Sequence, residues 1–303
     1  MFKDRILVGI DFSQGCAHAL REAVRIAGFR STYVEILHVI DRRVLEDLED
    51  KVVVDVARTL NEAQKRLEEF VAKHGQGYEN VRLRVVLGHP FKELISTMNR
   101  VKVDLVVLGT RGTSDDPHRL GALASKCLRR APSPILLVDD RKSEPIKKVM
   151  CAVDYSDTSK KAAKFAIHIA TLEKARLEFI HVFIPPTSFH SPETGLMLVG
   201  FEGMADYPKQ DRKALAAFVE PLLEGQTLDH EVTYTAVDDA SVGRGIIKKI
   251  NEHGCDLLVM GTHGRTGWNR LLLGTTAEHI FHRVPCSTLA VKPDEFSFGE
   301  EDC

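Results

Sequence analysis

The chain is written twice, and that limits the folds open to it more than any other feature. RILVGIDFSQGCAHALREAVRIA, starting at Arg5, returns as KVMCAVDYSDTSKKAAKFAIHIA from Lys148. Asp11 maps to Asp154 and the His38-Val39 pair to His181-Val182, both at an offset of 143. DLVVLGTRG from Asp104 returns as DLLVMGTHG from Asp256, an offset of 152, so nine residues are inserted in the second copy after its second strand. Gly121 maps to Gly274 at 153, which makes the following loop one residue longer. A unit of about 150 residues that recurs once is a duplicated domain, too long for a solenoid repeat. The 303 residues therefore read as two domains, 1–143 and 144–303. They join near Asp139–Lys148, where DDRKSEPIKK is charged and carries a proline.

Hydrophobic periodicity orders the first copy. Ile6–Ile10 reads as a short buried strand and Gly15–Ala27 as a helix with Ala19, Leu20, Ala23, Val24 and Ala27 on one face. Tyr33–Val39 is the second strand. One long charged helix then runs to about His74, with Val56, Leu60, Ala63, Leu67, Phe70 and Val71 as its apolar stripe. Val81–Leu87 is a third strand, followed by a helix from Phe91 to about Arg100. Leu105–Leu108 is the fourth strand, a helix ends near Arg130, and Ile135–Val138 is the fifth strand. The second copy repeats this, with strands near Lys148–Val153, Leu177–Phe183, Glu231–Val237, Leu257–Met260 and Ser287–Val291. Such alternation predicts an α/β fold of parallel sheets with helices on both faces. Each copy is expected to be a doubly wound five-stranded domain of strand order 3-2-1-4-5.

In that topology ligands sit beyond the carboxyl ends of the strands, where strand order reverses. Asp154 follows strand one of the second copy, Val182 ends strand two, and Gly261–Gly264 follows strand four, so three chain-distant features converge on one crevice. A carboxylate accepts hydrogen bonds from a ribose hydroxyl or a base edge. Asp154 is also open to a plainer role as a helix cap. Gly261–Thr276, GTHGRTGWNRLLLGTT, joins strand four to a helix over Ala277–Arg283. Its glycines let backbone approach a ligand, and Gly274, Thr275 and Thr276 open a helix whose free N–H groups favour an anion. The spacing alone fits a phosphate cradle or an ordinary tight turn with a threonine cap. His263 reads as a polar lining residue rather than a general base, and Arg265 as a phosphate contact or a solvated cation.

Two copies of a strand–Asp-x-Ser start, a strand ending His-Val, and a Gly-x-x-Gly-x9-Gly-Thr loop resemble the universal stress protein family in its tandem two-domain form. The resemblance covers nearly the whole chain and implies an adenine nucleotide alpha hydrolase-like fold. Its ATP-binding branch implies roles for this chain's residues: Asp154 on adenosine, the Val182 backbone on adenine, and Gly261, His263, Gly264, Arg265, Gly274, Thr275 and Thr276 around the phosphates. ATP, with Mg²⁺ bridging its phosphates, is the implied cofactor. The first copy departs from that pattern. It keeps Asp11, Val39, Gly109, Gly112 and Gly121, but Ala122 and Leu123 replace the hydroxyls, and Asp115 and Asp116 would repel a polyphosphate. That site reads as degenerate; a different ligand there would find Arg111 and Arg119 as its anion contacts.

No GxSxG, HExxH, Walker-type or dinucleotide GxGxxG pattern is present. No strong base is at hand, so slow ATP hydrolysis or autophosphorylation is the most chemistry expected, and the alternative is a metabolite-binding or scaffold protein acting through its dimer surface. His279 and His282 lack a third ligand for a metal. His38 and His181 read as hydrogen-bonded core residues. With 41 basic and 43 acidic residues, net charge −2, no basic field exists to hold nucleic acid. No apolar run reaches the roughly 18–20 residues of a membrane span, the N-terminus lacks a leader's apolar region, and six cysteines without a CxxC pair read as reduced cytoplasmic thiols. Cys303 is the one expected to be exposed. The Pro185–Pro208 insertion reads as a flap or interface segment. The resemblance further implies an internal pseudo-dimer through Ile135–Val138 and Ser287–Val291, with chains assembling into a homo-oligomer.

Overall fold

The computed structural model describes residues 5–29, 31–49, 55–111, 120–139, 145–184, 207–264, 274–281, 283 and 286–294. The chain divides into two compact units, with the break between Ser143 and Glu144. Arg119, Asp115, Asp116, Gly112, Arg265, His282, Cys303 and residues 185–206 of the insertion lie outside the described residues.

In the first unit, β1 (Arg5–Ile10), β2 (Tyr33–Asp41), β3 (Val81–Gly88), β4 (Leu105–Gly109) and β5 (Ile135–Val138) form a parallel sheet in the order β3-β2-β1-β4-β5. In the second, β6 (Lys148–Ala152), β7 (Arg176–Phe183), β8 (Val232–Asp238), β9 (Leu257–Gly261) and β10 (Ser287–Val291) repeat it as β8-β7-β6-β9-β10. Strand order thus reverses beside β1 and beside β6. The central strands are buried on both faces, because helices cover both: Ile6, Leu105, Val149 and Leu258 are all fully buried. This is why they read as unbroken apolar runs rather than alternating ones.

Helices α1 (Gln14–Gly28) and α6 (Asp157–Glu173) start at equivalent serines. Ser13 Oγ accepts from the Cys16 amide at 3.3 Å, and Ser156 Oγ accepts from the Ser159 amide at 3.1 Å. These caps satisfy an amide of the first turn that no intrahelical carbonyl can reach. The single long helix expected before His74 is two: α2 (Arg42–Glu49) and α3 (Val56–His74). Asp55 breaks the run, since its carboxylate accepts from the Arg58 amide at 3.0 Å and starts a new helix there. Of the expected stripe on α3 only Leu67 is fully buried, while Phe70 turns its edge to Phe12. The remaining helices are α4 (Pro90–Val101), α5 (Ala122–Arg130), α7 (Tyr207–Leu223), α8 (Val242–His253) and α9 (Thr275–Phe281). Tyr207 and Pro208, read as loop, open α7. None of the described helices is long and apolar enough to cross a membrane. Cys16, Cys127, Cys151, Cys255 and Cys286 are buried.

Each sheet carries one buried glutamate on its second strand. Glu35 is met by Arg100 at 3.1 Å and by the Tyr33 hydroxyl at 3.3 Å. Glu178 accepts from Thr235 Oγ1 at 2.7 Å and His253 Nδ1 at 2.8 Å, and pairs with Lys148 Nζ at 3.0 Å. Burial alone would raise the Glu178 pKa, but the bonds from Thr235, Lys148 and His253 outweigh it and hold the carboxyl below its ordinary 4.5. A depressed folded-state value means that this stabilisation is complete above about pH 4.5 and is lost as pH falls through the lower folded value. Glu178→Gln should cost about 2 kcal/mol at pH 7, below the usual figure for a broken buried pair because Lys148 and His253 remain partly exposed. Urea denaturation at pH 7 and below pH 4 should show that difference shrinking in acid.

Candidate functional site

The crevice of each domain begins where its first strand stops. The last carbonyl there, of Ile10 or Val153, accepts from a histidine on the neighbouring strand: His38 Nδ1 at 2.8 Å and His181 Nδ1 at 2.7 Å. A carbonyl can only accept, so both rings carry their proton on Nδ1. Two residues beyond Ile10, Phe12 takes a φ of 64°, and Tyr155 matches it at 65°. A left-handed aromatic residue costs about 1–2 kcal/mol. Phe12 meets His38 at a tilt of 46° with ring centres 4.4 Å apart and meets Phe70 at 5.6 Å. Tyr155 does the same with His181 at 4.5 Å and Phe218 at 5.4 Å. At about 0.5–1.5 kcal/mol per contact, two such contacts offset the strain.

This turn aims the aspartate. Asp154 Oδ1 accepts from the Ser156 amide at 3.0 Å and from Ser156 Oγ at 2.6 Å. The capping role weighed for Asp154 therefore falls to Ser156, which leaves Oδ2 facing the glycine loop. A Cβ on Gly264 would sit 2.7 Å from that Oδ2, so only a glycine allows the loop to lie against the carboxylate. Gly261 packs on Thr158, 3.0 Å from where its Cβ would be. The Gly274 amide donates to the Thr262 carbonyl at 3.0 Å, which brings the far end of the loop back to β9. Asp154, Gly261, Gly264 and Gly274 are thus gathered at one strand end.

His263 is only 8 % exposed. Its Nδ1 lies 2.9 Å from Thr262 Oγ1, which itself reaches the Val291 carbonyl at 3.2 Å. Burial, and then the nearby Lys292 charge, push the His263 pKa down, so it stands as a neutral wall residue. Val182 is 7 % exposed and packs on α8, where a Cβ on Gly245 would come within 2.9 Å of its Cγ1. Gly243, one turn-edge away, likewise admits the His279 ring of α9. Thr276 is half-buried near the start of α9; the Thr275 side chain and Arg265 lie outside what is described. Tyr155, His181, Gly243 and Gly245 escaped the sequence reading as site-shaping residues. For two of them the signal was present, because Phe12 and Tyr155 share the offset of His38 and His181.

The first domain holds a cavity of about 220 Å³ at the same place, and Asp11, Val39, Gly109 and Gly121 all line it. The Gly121 amide donates to the Thr110 carbonyl at 2.9 Å, as Gly274 does to Thr262. Asp11 Oδ1 accepts from the Ser13 amide at 2.9 Å and from the Cys16 thiol at 2.9 Å. Burial first, then the Asp11 charge, raise the Cys16 pKa to about 12, so this thiol is no nucleophile at neutral pH. Arg66 lies 4.2 Å over the Phe12 ring. In the second domain the Tyr155 hydroxyl instead donates to Asp211 Oδ1 at 3.2 Å. Among the described residues no three metal-ligating side chains stand together.

A tandem pair of doubly wound α/β domains, each with a crevice at its strand-order reversal, is the class defined by this architecture. The chain belongs to the universal stress protein family, whose model matches residues 3–139 and again residues 145–292. A universal stress protein of Mycobacterium tuberculosis is 26% identical over 288 residues, covering 91% of this chain and 92% of that protein. One from Methanocaldococcus jannaschii is 31% identical over 147 residues, 48% of this chain and 82% of that protein. The crystal structure of a universal stress protein from Archaeoglobus fulgidus covers 95% of this chain and 98% of its own, with a TM-score of 0.65 at 17% identity, a likeness of fold alone.

Removing the β7 imidazole that donates to the carbonyl just past β6 tests how this turn is held. His181→Ala leaves the Val153 carbonyl without its donor and Tyr155 without the ring it packs on. The expected loss is about 2 kcal/mol in urea denaturation. His181→Phe, which keeps a ring but no N–H, should recover part of it.

Proposed function

We propose that the second domain binds ATP in the crevice between β6 and β9, and that the protein acts as a nucleotide-binding member of its family with at most slow hydrolysis or autophosphorylation. One observation carries the reading: the backbone at Gly264 lies against the Asp154 carboxylate, so a hydrogen-bond acceptor and a side-chain-free loop share one strand end. A nucleoside needs the first and a phosphate chain the second. Asp154 Oδ2 would accept from a ribose hydroxyl, and the Val182 backbone would read the base. Magnesium would enter with the nucleotide and take its ligands from phosphate oxygens and water, and Thr275 and Thr276 would be the hydroxyl donors offered to the phosphates. Burial holds the His263 pKa below its ordinary 6.5 and its Nδ1 is taken up by Thr262, which makes it a weak base toward water and supports slow turnover.

Isothermal titration of the nucleotide-stripped full-length protein with Mg·ATP is the direct test, with heat expected for one site. Gly264→Ala is the informative variant. Gly264 has no left-handed φ, so alanine fits its backbone and only the Asp154 contact is disturbed. Affinity should fall at least tenfold, about 1.4 kcal/mol, with the thermal midpoint nearly unchanged. No heat with Mg·ATP, together with no nucleotide absorbance at 260 nm in the supernatant of denatured protein, would overturn the reading in favour of a metabolite-binding or scaffold protein.

A further inference from the structure

On the helical face formed by α1 and α3 of the first domain, Arg21, Arg66 and Lys73 meet no carboxylate among the described residues. The acids nearest to them in the chain are engaged elsewhere or stand apart. Glu22 holds Arg25 at 2.5 Å, and Glu62 holds Arg58 at 2.8 Å. Glu69 lies between Arg66 and Lys73 on α3 and pairs with neither. Lys73 has a reason within the fold, because it stands in the last turn of α3, where a cation meets the negative end of the helix. Arg21 and Arg66 are instead turned toward rings. Arg66 lies 4.2 Å over Phe12, and Arg21 donates to His74 Nδ1 at 3.4 Å.

These contacts join into one band. Its two ends are linked by Phe70, whose ring centre is 5.6 Å from that of Phe12 and 4.7 Å from that of His74. Burial first, then the charges of Lys73, Arg21 and His18, hold the His74 pKa below its ordinary 6.5, so the field at that end is positive. Cations gathered without a counter-charge repel one another, and the fold does not require them. Phe12 with Phe70 and Tyr155 with Phe218 are matching edge-on pairs. Aligned on them, the second domain has Ala214 where the first has Arg66, and Leu222 where it has His74.

The spacing and the state of the rings narrow the anion. Arg66 and His74 are eight residues apart on α3, about 12 Å at 1.5 Å per residue. An extended chain advances about 3.3–3.6 Å per residue, so acidic side chains three or four residues apart span the band. A single-stranded nucleic acid would need open ring faces on which to stack its bases. Here Phe12 is taken by Arg66 and His38, and Phe70 packs on Phe12 and His74. The half-buried Phe70 still offers an apolar edge to a side chain carried between two acids.

We propose that this face docks an acidic protein segment in extended conformation, with one carboxylate at Arg66 and another, three or four residues along, at Arg21 and Lys73. The assignment is independent of ATP binding in the second domain and would survive its failure.

The test is fluorescence anisotropy at low salt with the full-length protein and a labelled peptide whose two glutamates are three residues apart, with valine and threonine between them. A peptide of the same composition with adjacent glutamates is the control, and the spaced peptide should bind at least threefold more tightly. Raising salt to about 0.2 M should weaken that binding severalfold. Arg21→Gln combined with Arg66→Gln should lower affinity about tenfold, each exposed pair contributing a modest share, with the thermal midpoint nearly unchanged. Arg21→Lys combined with Arg66→Lys keeps both charges and should stay within about threefold of the parent. Lys73→Gln, at an exposed position, should weaken binding about threefold and serves if the double glutamine variant does not fold. No binding of the spaced peptide at millimolar concentration overturns the proposal. So does equal affinity for the two peptides, binding that the glutamine variants leave unchanged, or tighter binding of oligothymidylate or phosphatidylserine vesicles than of the peptide.

Discussion

The geometry of both crevices depends on one hydrogen bond made twice: an imidazole N–H on the second strand donating to the last carbonyl of the first. A strand entering solvent from the middle of a parallel sheet leaves its final carbonyl without a ladder partner, and a buried acceptor left unpaired costs about 1–3 kcal/mol. His38 and His181 fill that vacancy. Because the ring is fixed on its donor side, its face becomes a floor on which Phe12 or Tyr155 can rest. That in turn permits a left-handed residue at a position where an aromatic side chain would otherwise be disfavoured. The aspartate preceding it is thereby delivered to the mouth of the sheet with one oxygen committed to its own turn and the other turned outward.

Much of this was legible in the sequence because duplication supplied an internal comparison. The convergence of Asp154 with the glycine loop and the matched positions of the two histidines follow from aligning the chain with itself, while strand order follows from the alternation of strands and helices in a doubly wound sheet. What was not legible depends on contacts between residues far apart in the chain. The helix expected to run unbroken to His74 is interrupted because Asp55 prefers to cap, a competition that a charged, weakly periodic stretch does not reveal. Asp154 and Ser156 are both plausible caps by residue type, and only the turn geometry set by Tyr155 assigns that task to the serine. Gly243 and Gly245 of α8 drew no notice in the sequence. They are there because Val182 and His279 approach too closely for any side chain.

The two copies keep this frame and differ in what they place around it. The first domain sets a guanidinium over its aromatic turn residue; the second sets a carboxylate against the tyrosine hydroxyl. Thr262 is tied to Val291 and His263, whereas the hydroxyl of its counterpart Thr110 is buried without a hydrogen-bond partner among the described residues. Glu35 pairs with an arginine from α4, and Glu178 with a lysine, a threonine and a histidine. The backbone scaffold therefore tolerates a change of charge sign at its rim, because the bonds that shape it are main-chain carbonyls and amides.

The amide of Gly121 bonded to the Thr110 carbonyl, and that of Gly274 to Thr262, have a wider consequence. Each bond fastens both ends of the intervening segment to the same point on the sheet, so that segment is an exchangeable cassette of ten residues (111–120) in one copy and eleven (263–273) in the other. Closing a loop longer by one residue adds a negligible entropy, and neither anchor shifts to accommodate it. The sequence between the anchors can therefore be rewritten after duplication while folding stability is left to the sheet.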